Sequence, residues 1–121
     1  LMKEEVKEWI KQSNKDLVAA KHDIKSKDYH SAVFWSQQSV EKAFKALLIE
    51  KTNKFPKIHD LRKLAELNDA PKEIMKLCVK INPSYTASRY PDIMGTYTKK
   101  ISEEMLNYCN EVLKWIKKNL N

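Results

Sequence analysis

Gln38, Glu41, Lys42 and Lys45 are the first residues whose types and spacing suggest chemistry. Steps of three, one and three place them on one face of a helix. Lys42 and Lys45 could hold phosphate as point charges, and Gln38 could read a base or ribose edge. Phe34 falls on the same stripe and could stack on a base. The plainer reading is a solvated face in which Glu41 and Lys45 pair at the favoured i,i+4 spacing. Gln37 lies nearer the apolar side and is expected to satisfy a buried backbone group.

A second cluster is His59-Asp60-Leu61. His59 could act as acid or base near neutral pH, or simply cap and pack before a short helix. A third is Arg89-Tyr90 with Asp92. Arginine is scarce here beside many lysines, so Arg89 in an irregular segment suggests a use for its planar fork. The alternative is an Arg89–Asp92 clamp that fixes the segment. A phosphate loop is excluded by the single glycine, Gly95. Serine and cysteine nucleophile settings are not recognisable, and no metal site or cofactor is expected, because His22, His30 and His59 lack ligand spacing. Cys78 and Cys109 do not make a disulfide framework, and Cys109 falls on an apolar stripe as a small core residue.

These groups need helices to position them. The 121 residues fit one domain, 1–121, with 42% hydrophobic and 32% charged residues. Four prolines and one glycine suit long helices with short turns, not a sandwich or barrel. Periodicity predicts a helix over 4–25, with Val6, Trp9, Ile10, Leu17, Ala20 and Ile24 inward and Lys7, Lys11, Lys15 and Asp16 on a wet face. Asp28 is an N-cap for a second helix running to about residue 51. That helix carries Val33, Val40, Ala43, Phe44 and Leu47 on its main stripe. Phe34 and Trp35 sit about 100° and 200° round from Val33, so the helix is central or meets another subunit.

Shorter helices are predicted over 60–67 and 71–81, with Pro71 at the first helical position. Residues 83–97 read as irregular, and a final helix runs from Thr98, an N-cap, to about residue 119. The whole is an all-α, up-and-down bundle of about five helices. No apolar run reaches the roughly 18 residues of a membrane span, and the charged start lacks a signal-peptide core. A cytoplasmic protein is expected. The net charge of +7 fits either simple solubility or a polyanionic partner.

The pattern resembles the HEPN family of small helical domains over nearly the whole chain. The resemblance rests on Trp9, Asp16-Leu17 with Ala20, residues 28–34, and the Gln37-Gln38-x-x-Glu41-Lys42-x-x-Lys45-Ala46-Leu47 core. His59-Asp60-Leu61 with Leu64, then residues 88–92, complete it. It implies that Gln38, Glu41, Lys42, Lys45, His59, Arg89, Tyr90 and Asp92 form one nucleotide- or RNA-phosphate site, or one buried network holding the segment to the bundle. It implies a minimal nucleotidyltransferase partner in a toxin–antitoxin-like module. A homodimer is also implied, with Phe34 and Trp35 as interface residues and Ser39 and Ala46 on the same line as Trp35. Alternatively Trp35 packs on residues 83–97. A ribonuclease branch of the family carries Arg, four to six residues, then His. No histidine follows Arg62 or Arg89 here, so an enzyme would need a non-standard site using Arg89 with Tyr97 or His59. A pure interaction module whose partner protein covers the Trp35 or Phe34 face is the remaining reading.

Overall fold

Capping side chains and left-handed residues set several of the helix boundaries. In the computed structural model, residues 2–54, 57–89 and 97–120 are described, with 87–89 as backbone. Helix α1 (Glu4–Lys25) begins with Glu4 and Glu5 and ends near His22 and Lys25, charges that suit the two ends of its dipole. Lys27 then turns the chain at φ 64°, with Asp28 N–H donating to the Asp23 carbonyl at 2.8 Å. Asp28 caps α2 (Tyr29–Thr52) by accepting from Ser31 N–H, and Asn53 closes it at φ 59°. Asp60 caps α3 (Leu61–Leu67), accepting from Arg62 N–H at 2.9 Å. Then come α4 (Lys72–Ile81), α5 (Pro83–Arg89) and α6 (Lys99–Lys118), the last capped by Thr98.

Helix α2 is the inner post. Fourteen of its 24 residues are buried, Phe44, Leu47 and Val40 completely. Antiparallel α1 packs along it most extensively. Small residues, among them Ser13, Ser39, Ala20, Ala32, Ala43 and Ala46, are buried in the chain. The Ser13 hydroxyl donates to the Ser39 carbonyl across the two helices at 2.6 Å. On another side, Met105, Cys109, Val112 and Ile116 of α6 join the same core. Leu61 and Leu64 of α3 and Ile74, Cys78 and Ile81 of α4 close the bundle. The architecture is thus an all-α, up-and-down bundle, with six helices among the described residues.

Four sequence expectations change. Residues 83–89 form α5, because Pro83 suits a first helical turn and the Asn82 carbonyl accepts from the N–H groups of Tyr85 and Thr86. Pro71 is the residue before α4, in extended conformation, not its first helical residue. Asp16 is buried, not on the wet face, since it follows Ser13 by three residues and precedes Ala20 by four. The Trp35–Ser39–Ala46 line is not a free surface either, because Ser39 and Ala46 are fully buried within the chain. The expectation for Gln37 holds. Gln37 donates to the Ile81 carbonyl at 3.0 Å and to the Thr86 hydroxyl at 3.1 Å, tying α2 to α4 and α5.

Candidate functional site

One polar seam runs along α2 toward the start of α3. Its inner member is Glu41, 6% exposed, next to Lys45, 5% exposed. Lys45 Nζ lies 3.1 Å from Glu41 Oε2, so the i,i+4 pair exists but is buried, not solvated. His59 Nδ1 lies 3.1 Å from the same oxygen. A carboxylate can only accept, so Glu41 directs the hydrogen of the imidazole to Nδ1 and leaves Nε2 facing outward. The His59 side chain itself is 79% exposed.

His59 is placed by its neighbour Asp60. The Asp60 carboxylate caps α3 and also accepts from Asn82 Nδ2 at 2.9 Å. Asn82 Oδ1 in turn accepts from Leu61 N–H at 3.2 Å. This clasp joins the start of α3 to the end of α4. A shallow cleft of about 240 Å³ lies there, lined by His59, Asp60, Asn82, Pro83 and Ser84.

Lys42 forms the second node. Its ammonium lies 2.5 Å from Asp16 Oδ2 of α1 and 5.8 Å from the centre of the Trp35 ring. Lys45 stands at 5.8 Å over the Trp9 ring. Phe34, 47% exposed, meets Trp35 edge-on with centroids 5.0 Å apart. Gln38 lies half-buried on the same face between the two nodes.

The structure therefore brings Glu41, Lys45 and His59 into direct contact and sets Lys42, Gln38, Phe34 and Trp35 beside them. The Arg89 side chain, Tyr90 and Asp92 lie outside the described residues. Sequence reasoning missed Asp16, whose wheel position between Ser13 and Ala20 was the available signal. The lysines of the seam each meet a carboxylate. An ammonium carries three hydrogens, so one such partner does not exhaust its capacity.

Other chemistry finds little support in the described residues. No three His, Cys, Asp or Glu side chains gather to hold a metal ion among them. Burial pushes the Cys78 thiol up to about 12. The Cys109 thiol is raised further, by burial first and by Cys78 second. Buried neutral thiols are poor nucleophiles. No described helix is long and apolar enough to cross a membrane.

Fold and seam define a small all-helical domain whose central helix presents an organised polar and aromatic surface. The HEPN domain pattern matches residues 6–120, and the chain belongs to the HEPN domain family. Among solved structures, it is similar to ST0689, an archaeal HEPN homologue, at 32% identity with a TM-score of 0.81. That likeness covers 98% of this chain and 100% of the homologue. It is also similar in fold to TT1696 from Thermus thermophilus, at 24% identity and a TM-score of 0.83, over 97% and 99% of the two chains. No curated protein matches the chain.

Proposed function

We propose that this HEPN domain binds a nucleotide or nucleic-acid phosphate along the α2 seam. The observation that carries the reading is the shared Glu41 oxygen, which joins buried Lys45 and exposed His59 into one preorganised unit that reaches solvent at His59. Preorganised donors recognise a ligand at low ordering cost. His59 Nε2 supplies a group at the surface, the lysine hydrogens supply charge, and Phe34 supplies a face for a base. Arg89, Tyr90 and Asp92 would complete the site in this reading.

In the same reading the domain works in the cytoplasm with a minimal nucleotidyltransferase, in a toxin–antitoxin-like module. It would pair as a homodimer through the exposed Phe34 and neighbouring Trp35. Family membership and the Phe34–Trp35 ring pair, whose Phe34 is exposed, support these two steps. Calorimetric titration with nucleotides and short RNA at low salt tests the central step. Saturable binding weakened by His59→Ala supports it, and the absence of any binding refutes it.

The Glu41–His59 contact also favours a second reading, a ribonuclease. Nε2 of His59 would take the proton of a ribose 2′-hydroxyl as its oxygen attacks the adjacent phosphorus, expelling the 5′-oxygen, which takes a proton from water. RNA cut by the wild type and spared by His59→Ala supports this reading. RNA left intact by the wild type ends it.

A further inference from the structure

On a different part of the bundle, α1, the α1–α2 turn, the first residue of α2 and α6 line a cleft of about 550 Å³. That is within the usual size range of small-ligand sites. No residue lining it belongs to the Gln38–Lys45 seam or to its His59 node. Four lysines line it, Lys21 and Lys25 from α1, Lys27 from the turn and Lys99 from α6, against one acid, Glu103. The contrast with the seam is electrostatic. There Lys42 and Lys45 each have a carboxylate partner. Here none of the four ammonium groups forms an ion pair among the described residues. Neighbouring acids are already engaged: Asp23 accepts from the Ser31 hydroxyl at 2.6 Å, and Asp28 caps α2. The first turn of α6 begins Lys99-Lys100 and holds no acid, so the positive end of that helix is not compensated from within.

The rest of the lining is not simply more charge. Ile24 and Leu106 give an apolar floor, and half-buried Tyr29 gives an aromatic wall. Asn107 and Glu103 are polar groups four residues apart on α6. An amide can both donate to and accept from a base edge, and a carboxylate accepts from ribose hydroxyls. We propose that this cleft is a second nucleotide site, holding a base against Tyr29 and the apolar floor with its phosphates on the lysines. The shared chemistry is a nucleotide carrying negatively charged phosphate, whether free or within an RNA strand.

The test is NMR on the full chain, titrated separately with ATP and with a short oligoadenylate. Tyr29 ring and Asn107 amide signals report the cleft, while Trp35 indole and His59 ring signals report the seam. The proposal expects saturable shifts at Tyr29 and Asn107 with ATP, with oligoadenylate or with both, and the responding arm identifies the source. The double variant Lys25→Glu/Lys99→Glu should bind there about tenfold more weakly or worse, with its seam response unchanged. Both positions are exposed, and circular dichroism checks that the variant folds. Silent cleft signals with both ligands overturn the proposal, as does a double variant with wild-type shifts. A responding cleft beside a silent seam would sink the seam reading and leave this one standing.

Discussion

Glu41 makes two contacts through one oxygen, and its removal should be felt at both. Glu41→Gln leaves the buried Lys45 ammonium without this anion. A loss of roughly 3 kcal/mol in urea denaturation is expected. A loss below about 1 kcal/mol would mean that the pair contributes little to the fold. The cysteines give a pH prediction. Their folded thiols stay protonated far above the ordinary thiol value of 9.0. Above that pH the unfolded chain releases protons that the folded chain keeps, so stability falls as pH rises toward 12. The expected slope is on the order of 1 kcal/mol per pH unit for each thiol. Cys109→Ala should show a shallower alkaline decline than the wild type in denaturation series between about pH 9 and 11. Single residues were legible in the sequence where one local rule governs them. Asp28 and Thr98 cap because capping depends on the next three residues. The wheel position of Asp16 between Ser13 and Ala20 was readable, but its pairing with Lys42 of another helix was not.

Among elements, α5 is held to the bundle through Gln37, which serves Ile81 and Thr86 together. Gln37→Ala leaves that carbonyl and hydroxyl buried without their donor, at a cost of about 2 kcal/mol. Hydrogen exchange should quicken over 83–89 before it does in α2; equal protection in variant and wild type would contradict this anchoring role. A second prediction concerns the α1–α2 turn. Lys27 holds a left-handed conformation that glycine adopts more readily. Lys27→Gly should raise stability by about 0.5–1 kcal/mol in thermal unfolding, and a destabilised variant would show that the lysine side chain outweighs its backbone cost. The long helices were readable because their apolar period persists over many turns. Helix α5 was not, because Asn82-Pro83 ends α4 and begins the next helix at the same place. The stop was visible, and the restart depended on Asn82 being anchored at Leu61 and Asp60.

Across the whole molecule, the net charge of +7 is unevenly used. The inner lysines of α2 meet acids, so the unpaired positive charge sits on outer positions. The total was readable from composition, but its distribution required the partners of each lysine. The polar stripe of α2 was likewise readable as a stripe, whereas its connection to His59 spans 18 residues of chain and appears only in the fold. The account rests on that connected seam being a place where a phosphate-bearing ligand is held. The most direct measurement follows the His59 ring and the Trp9 and Trp35 indole signals during low-salt titration with nucleotide or short RNA. Saturable shifts at these groups are predicted, with affinity falling about tenfold in the exposed double variant Phe34→Ala/His59→Ala. Unmoved signals at all three groups in the folded wild-type chain would contradict the account.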